Sequence, residues 1–443
     1  MTADSIPAPL IEACEQVRLA SQADAVAGVQ PSFVASPAST AQASRLMRAA
    51  ASLGLAVLPR GAGSKLHWGN APERADLVVD TTAMDRVIEH AAGDLIASVE
   101  AGVSLDRLAE VLKTAGQRLA LDPPAASRGT VGGLLASGVA GPLRLRYGTG
   151  RDLLIGITVV RADGVVAKSG GKVVKNVAGY DLGKLFAGSR GTLGLITEAT
   201  FRLHPVPAAT AYLTIECAEP ADCARLLATA LQAPVAPVAA ELDWPSPGAP
   251  IAIGIALEGD QAGVAERAAL LAGLLSDQAS AGPGSMPEPR PAALSDTPPP
   301  WWGSGPAAQQ DGTVLQIAIW SGDLARTLTE IRVAATRAHL APAVGGSAAA
   351  GHLYLTVPAN GNADAGQVAG LITSLRSALG HSDSHDRAGQ PARASVVVQH
   401  APAAVTELAD PFGPVAALSL MRAVKARFDP ERMMSPGRFV GGL

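Results

Sequence analysis

The sequence predicts an α+β protein with two folding units, or with one unit that carries a large inserted lobe. Its 443 residues exceed the size at which a single hydrophobic core stops growing. Strand and helix signals alternate through the first half of the chain, which indicates layered α/β structure. After Pro205 and Pro207 further strands are interleaved with helical runs, which predicts a second α+β lobe.

The elements of the first lobe follow from turn and capping signals. A helix beginning at Thr40 ends at Gly54, Ser104 caps the next helix, and Asp163-Gly164 is a hairpin turn. The predicted first-lobe elements are strands 32–36, 55–58, 76–80, 86–90, 95–100, 155–161 and 165–168, and helices 40–53 and 104–116. The predicted later elements are strands 211–217, 251–258, 314–319 and 353–357, and helices 221–232, 261–276, 323–339, 364–379 and 418–428.

Composition argues against two classes of function. The formal net charge of −4 and the 3% aromatic content leave no basic footprint and few stacking platforms, so no nucleic-acid binding is expected. No apolar run is long enough for a membrane span, so we expect membrane contact only through partners. The three cysteines lack metal-type spacing, which indicates reduced thiols in a cytoplasmic protein. If the protein associates with a membrane, we expect it to be peripheral at the inner face.

The stretch 170–203 is the centre of the functional interpretation. Gly188, Gly191 and Gly194 recur at every third position beside β-forming apolar residues. A strand interior avoids glycine unless something must approach closely, so the pattern indicates a strand that contacts a flat ligand. The alternative is a bulged strand with tight turns.

A second candidate is the loop Pro59–Lys65, PRGAGSK. Its glycines allow backbone N–H groups to converge, while Arg60, Ser64 and Lys65 offer charge and a hydroxyl, which suits a pyrophosphate. A plain surface turn is the alternative. The third candidate is the run 129–133, GTVGG, which indicates backbone pressed against a ligand or, alternatively, tight helix packing.

Together these segments resemble the vanillyl-alcohol-oxidase type of FAD-binding flavoprotein, which has a PCMH-type FAD domain. PRGAGSK, GTVGG, KNVAGYDLGKL, GSRGTLGLITEATFRLHP and FDPERMMSPGR occur in the family's order and spacing. Within the family, the chain is most similar to FAD-binding subunits of glycolate oxidase, notably through LASGVAGPLRLRYGTGRDLLIG and KNVAGYDL. The match is specific over residues 30–207 and the carboxyl tail, and loose across the middle.

The resemblance implies a two-subdomain FAD-binding domain with an inserted α+β cap lobe and a C-terminal segment that returns to it. The implied organisation is an N-terminal helical lead-in at 1–30, the PCMH-type domain at 31–207, the cap at 208–405 with a Pro/Gly-rich loop at 281–312, and a C-terminal helix and tail at 406–443. Trp301 and Trp302 in that loop would either anchor a partner or pin the loop to the cap. We favour the second reading.

The resemblance also implies where FAD binds. The PRGAGSK loop would take the pyrophosphate, the GTVGG run and Asn176–Tyr180 would line the ribityl and isoalloxazine parts, and Gly191–Thr197 would touch the flavin by backbone. The implied contacts are Arg60, Gly61, Ala62, Gly63, Ser64, Lys65, Gly129, Thr130, Val131, Gly132, Gly133, Asn176, Gly179, Tyr180, Gly191, Gly194, Ile196 and Thr197. Because the loop has no His or Cys for covalent attachment, we expect noncovalent FAD. Ser435 stands where many relatives place Asn.

A further departure concerns catalysis. Relatives that oxidise 2-hydroxy acids carry a cap motif with two histidines that binds a divalent metal, whereas residues 345–353 contain one histidine, so no metal is expected. The first hypothesis is a flavoprotein subunit of a glycolate or related 2-hydroxy-acid dehydrogenase, working beside a sister FAD-binding subunit and an iron-sulfur subunit. The second is a stand-alone FAD-dependent dehydrogenase whose base is His352 or His400. The third is a non-catalytic FAD-binding scaffold.

Overall fold

The computed structural model describes residues 5–124, 129–172, 181–281, 291–304, 312–359, 363–380 and 394–443. The helices are α1 Ala8–Ala13, α2 Thr40–Ser52, α3 Leu105–Lys113, α4 Val131–Ser137, α5 Arg144–Tyr147, α6 Gly150–Leu153, α7 Pro220–Gln232, α8 Gln261–Ala281, α9 Leu324–Ala338, α10 Ala365–Gly380, α11 Ala403–Thr406 and α12 Leu418–Phe428. The strands of the first lobe are β1 Val17–Leu19, β2 Phe33–Ala35, β3 Val57–Arg60, β4 Leu77–Asp80, β5 Val87–Ala91, β6 Ile96–Glu100, β7 Gln117–Arg118, β8 Leu154–Val160, β9 Val166–Gly170, β10 Leu195–Arg202 and β11 His204–Pro205. The strands of the cap are β12 Ala209–Cys217, β13 Ala239–Trp244, β14 Ile251–Gly259, β15 Ala293–Ser295, β16 Thr313–Ile319, β17 Ala343–Ser347, β18 His352–Val357 and β19 Ala394–His400.

The first lobe contains two larger sheets. One has the order β1-β2-β4-β3, in which β2, β4 and β3 are parallel and β1 is antiparallel. The other is antiparallel, with the order β5-β6-β10-β8-β9. Helix α2 begins where the Ser39 hydroxyl accepts a hydrogen bond from the Gln42 N–H, and its apolar face carries Leu46 and Met47. Because these side chains share one core with Val160 and Leu195, α2 joins the two sheets.

The cap is one antiparallel sheet of eight strands, in the order β15-β12-β14-β13-β17-β18-β16-β19. Helices α7 to α10 supply buried apolar side chains that share one core with the sheet, among them Leu226, Leu271, Leu328 and Leu371. The predicted cap strands and helices are present, but β13, β17 and β19 had no sequence prediction. The short strand β15 also lies in the segment expected to be irregular.

The carboxyl tail packs on the first lobe. Met434 forms a parallel bridge with Val57, and its side chain is fully buried in the core of the first sheet. The buried ammonium of Lys425 donates to the backbone oxygens of Thr192 at 2.7 Å and Met434 at 2.8 Å, and to the Asp429 carboxylate at 2.6 Å. This network fixes the tail beside the turn that precedes β10.

The structure overturns one local expectation and adds detail to two others. Gly188 and Gly191 have φ values of 77° and 75° and lie in a turn, and strand β10 begins only at Leu195, so the glycines precede the strand. The GTVGG run opens a helix, α4. The lead-in 1–30 contains the helix α1 and also the strand β1. Over the described residues, no helix is both long enough and apolar enough to cross a bilayer.

Candidate functional site

A cleft of about 940 Å³, counting its open mouth, lies between segments of the first lobe and the tail. Its walls are the loop after β3, the start of α4, the turn before β10 and the tail residue Arg438. The predicted residues that line it are Arg60, Gly61, Ala62, Gly63, Ser64, Lys65, Gly129, Thr130, Gly132, Gly133, Gly191, Gly194 and Ile196.

The guanidinium of Arg60 is held by two carboxylates. It donates to Asp24 at 2.9 Å and to Asp80 at 2.9 Å. The pKa of Asp24 lies well below its usual range, chiefly because Arg18 donates to it and also because of Arg60. The sequence interpretation placed this guanidinium on a pyrophosphate, but its charge is already compensated. Arg60 therefore shapes the loop, and the residues Gly61 to Lys65 remain to meet a ligand.

Lys65 contributes a cation at the end of the same loop. Burial lowers the pKa of its ammonium, which lies 3.2 Å from the Ser64 hydroxyl and 5.9 Å from the centre of the Trp68 ring. A desolvated cation of this kind is a strong attractor for a ligand anion.

The start of α4 packs tightly on its neighbours. The N–H groups of Val131 and Gly132 donate to the backbone oxygens of Val103 and Ala101 at 2.9 Å and 2.8 Å, so they are not available to a ligand. A Cβ on Gly132 would stand 2.8 Å from the Ala101 Cβ, and a Cβ on Gly61 would overlap the Thr130 hydroxyl. The glycines therefore let the loop and the backbone that follows β6 approach α4, which favours the packing alternative for this run.

Two predicted contacts lie away from the cleft. Val131 is fully buried in the core of the second sheet. Thr197 is also fully buried, and its hydroxyl donates to the Thr158 backbone oxygen at 3.3 Å, because alternation along β10 points it away from Ile196. These two predictions are corrected on that ground. Asn176, Gly179 and Tyr180 lie outside the described residues.

The turn before β10 and the tail meet at the edge of the cleft. Gly191 has a positive φ, and a Cβ there would stand 3.2 Å from the Pro59 Cγ and 3.4 Å from the Ser435 Oγ. The Ser435 hydroxyl donates to the Gly191 backbone oxygen at 3.3 Å. Ser435 thus fixes this turn from the tail.

Two arginines that the sequence interpretation missed face the cleft. Arg190 is in the turn and Arg438 is in the tail. In both, the Nη1 atom is buried and has no hydrogen-bond partner within the described ranges. Burial lowers the pKa of each guanidinium to about 10, and the charge of Arg438 adds to the effect on Arg190. A charged residue inside each glycine-containing motif, GSRGT and SPGR, was the available signal.

The cleft fits a flat anionic cofactor. Its walls are glycine-rich backbone that approaches closely, and it carries cations without carboxylate partners among the described residues, namely Lys65, Arg190 and Arg438. Residues 31–170 match the family described as FAD binding domain. This segment is an FAD-binding domain. The predictions of an FAD domain, of FAD as its cofactor and of a flavoprotein oxidoreductase relationship are confirmed.

The relatives of the FAD-binding domain include glycolate oxidase subunits and a D-lactate dehydrogenase. The chain is 36% identical to glycolate oxidase subunit GlcD of Bacillus subtilis over 177 residues, which cover 40% of this chain and 38% of that protein. It is 34% identical to glycolate oxidase subunit GlcE of Escherichia coli over 158 residues, 35% of this chain and 45% of that protein. It is 36% identical to a D-lactate dehydrogenase of Archaeoglobus fulgidus over 173 residues, 39% of this chain and 38% of that protein. Each match spans less than half of the relative's length.

Solved structures extend the comparison beyond the FAD-binding domain. An alkyldihydroxyacetonephosphate synthase has a TM-score of 0.66 at 17% identity, covering 93% of this chain and 78% of that one. Physcomitrella patens BBE-like 1 has a TM-score of 0.63 at 15% identity, covering 95% of each chain. At these identities the likeness concerns the fold alone, and it confirms the predicted α+β class.

The two histidines predicted as bases lie in different environments. His352 on β18 contacts the Tyr354 hydroxyl at 3.2 Å through Nε2 and the Gln316 amide at 3.5 Å through Nδ1. Burial lowers its pKa to about 3, and it does not line the FAD cleft. The ring of His400 packs at 4.9 Å on His67, which follows the cofactor loop. Of the two, His400 is therefore the one beside the FAD-binding domain's cleft. Within the described ranges, no group of three metal-ligating side chains lies together.

Proposed function

We propose that this chain is an FAD-binding subunit of a glycolate oxidase or related 2-hydroxy-acid dehydrogenase complex. Its flavin accepts or relays electrons from the oxidation of a 2-hydroxy acid and passes them to an iron-sulfur partner, beside a sister FAD-binding subunit. The observation that carries the proposal is a glycine-walled, cationic cleft in an FAD-binding domain whose relatives include glycolate oxidase subunits.

When bound, FAD supplies the two-electron redox chemistry, and the protein supplies binding and orientation. Gly61 to Lys65 would hold the phosphates, with Arg60 keeping the loop in shape through Asp24 and Asp80. Gly191 and Gly194 would allow close approach of backbone to the ring system. The tail closes the cleft through Arg438, whose Nη2 donates to the backbone oxygens of Leu66 and Trp68, each at 2.7 Å.

The surroundings of His352 favour a relay role for this chain over substrate oxidation by the chain alone. A general base works best when its pKa lies near the operating pH, and the pKa of His352 is far below it. Both of its ring nitrogens also contact neighbouring polar groups. The sister subunit would then carry out the proton abstraction.

His400 supports a second candidate, a stand-alone FAD-dependent dehydrogenase. Its ring packs on His67, one residue from the cleft-lining Leu66 and Trp68, so it could reach a substrate at the cap side of the cleft. In this reading His400 takes the substrate proton.

Anaerobic stopped-flow reduction of the FAD-loaded chain by glycolate and D-lactate tests both candidates. The relay role predicts that the isolated chain is reduced about 10²- to 10⁴-fold more slowly than the complex with the sister and iron-sulfur subunits, the usual contribution of acid-base catalysis. A chelator should leave the isolated rate unchanged. Rapid, saturable reduction of the isolated chain that is lost in His400→Gln and kept in His352→Gln would establish the second candidate. A flavin that dithionite cannot reduce would refute both and leave a scaffold.

A further inference from the structure

The two arginines that line the cleft without a counter-ion contrast with two other buried arginines of this chain. Arg60 and Arg118 are also largely buried, but each is paired with carboxylates, Asp24 and Asp80 for the first and Glu258 for the second. Arg190 and Arg438 have no carboxylate partner within the described residues. A buried charge without a counter-ion is strongly destabilising, so a structure that keeps two of them together needs a reason.

The side chain of Arg190 is held in place by groups that do not neutralise it. Its Nη2 donates to the Gln399 side-chain oxygen at 2.9 Å. Its guanidinium carbon lies 5.1 Å from the ring centre of Phe412 and 5.8 Å from that of Phe439. Such contacts orient the planar fork and exclude water, and the buried Nη1 has no hydrogen-bond partner within the described residues. Arg438 is held by two backbone oxygens, and its buried Nη1 also has no partner within the described residues.

Arg190 stands where two cavities meet. It lines the FAD cleft together with Arg438, and it lines a second cavity formed by the cap and the tail. Ser137 is shared by both cavities as well. The second cavity is walled by Gln316, Gln399, Phe412 and Phe439, and a further guanidinium, that of Arg376, also lines it. A small molecule there would be covered by cap and tail and would face the cofactor cleft through Arg190.

We propose that Arg190 and Arg438 form a binding site for one small carboxylate anion at the junction of the FAD cleft and the cap cavity. The site rests on the proposed function for the identity of the anion, a small 2-hydroxy acid, whose carboxylate would accept from the two guanidinium groups. A guanidinium is suited to a planar carboxylate, and the aromatic walls strengthen each hydrogen bond by excluding water. Arg190 is then a residue that determines specificity for an acid over a neutral alcohol.

A phosphate of FAD is the other source of an anion for these groups. The cofactor loop already offers Lys65 and the backbone of Gly61 to Ser64 for the pyrophosphate. Arg190 instead faces the cap cavity through the Gln399 contact, which favours the small acid.

Calorimetric titration of the FAD-loaded chain with oxalate, a planar dicarboxylate that cannot be oxidised as a 2-hydroxy acid, tests the site. The variants are Arg190→Gln, Arg190→Lys and, as the control, Arg432→Gln. Arg432 is another arginine of the tail, but it is exposed and paired with the exposed Glu73, so it reports the general effect of removing a positive charge. FAD content per protein is measured for every variant by absorbance after acid release.

The site predicts that Arg190→Gln weakens oxalate binding at least tenfold, that Arg190→Lys recovers part of it, and that Arg432→Gln and the FAD content are unchanged. Equal oxalate affinity in Arg190→Gln would overturn the site. Loss of FAD from Arg190→Gln, with oxalate affinity per remaining holoprotein unchanged, would assign the arginines to the cofactor and also overturn it. Arginine-dependent oxalate binding in a chain that glycolate and lactate never reduce, alone or in complex, would keep the site and refute the proposed function.

Discussion

Replacing Glu241 by Gln should change how the stability of the cap depends on pH. Glu241 lies on β13 with 5% of its surface exposed, and its carboxyl group accepts from the Ser347 hydroxyl at 2.5 Å. Burial, with a further contribution from Asp122, raises its pKa from an ordinary value of 4.5 to about 8. At neutral pH the group is therefore a protonated acid, and it loses its proton more readily in the unfolded chain.

The sign and size of the effect follow from proton linkage. The folded-state pKa lies above the unfolded value, so the stabilisation is fully present below pH 4.5 and is lost as the pH rises through 8. At about 1.36 kcal/mol per tenfold change in proton affinity, the full loss is roughly 4–5 kcal/mol, of which about 2–3 kcal/mol falls between pH 6 and 8. Gln cannot ionise, so the variant lacks this contribution while keeping a group that can bond to Ser347.

Urea unfolding of wild type and Glu241→Gln at pH 6 and at pH 8, followed by tryptophan fluorescence, measures the difference. Trp244 is buried on the same strand and reports this part of the cap. On going from pH 6 to pH 8, the free energy of unfolding of the wild type should fall by about 2–3 kcal/mol relative to that of Glu241→Gln. Glu266→Gln, an exposed carboxylate on α8, is the matched control and should show no such shift. A wild type and variant whose stabilities change in parallel with pH would refute the reasoning.

Three further expectations concern the cofactor and its supports. FAD should appear in the supernatant after acid precipitation, because the PRGAGSK loop offers no attachment residue, and flavin in the pellet would contradict noncovalent binding. Gly132→Val should lower the free energy of unfolding by about 1–3 kcal/mol, because the new side chain would collide with Ala101. The amount of FAD per folded protein should stay unchanged. Loss of FAD at unchanged stability would instead show that Gly132 contacts the cofactor. Lys425→Met leaves the Asp429 carboxylate buried without its cation, so the protein should be destabilised by about 3–5 kcal/mol. Differential scanning fluorimetry measures this change, and an unaltered melting temperature would contradict the expected role of Lys425.

Much of the fold was predictable because local signals determine it. The cap of α2 at Ser39 and the hairpin turn at Asp163-Gly164 are formed by residues next to one another in sequence. Helix α12 has the bounds that its periodicity predicts. The strand β17 was missed because Gly345 and Gly346 weaken its strand signal, and only pairing with β13 and β18 fixes it.

The site was predictable in part, for the same reason. The loop and the glycine turn carry their own sequence signals, and both line the cleft. The state of Arg60 depends on Asp24 and Asp80, and that of His352 depends on burial under the cap, so neither could be inferred from a local pattern. Arg190 and Arg438 line the same cleft only because the tail folds back across it, and no local pattern predicts that.

The titratable groups of the cap determine where positive charge lies in the cap cavity. His352, with a pKa of about 3, and Glu241, with a pKa of about 8, are both uncharged at neutral pH. The hydrogen-bonded row that runs from Arg190 through Gln399 to Gln316 and His352 therefore carries its charge at the Arg190 end. Arg376 also lines the cap cavity, where it donates to the backbone oxygens of Val396 and Pro411, so an anion in that cavity would lie near two poorly screened positive charges. A negative ligand is therefore attracted by Arg190 and Arg376 together, and the uncharged His352 and Glu241 do not oppose that attraction.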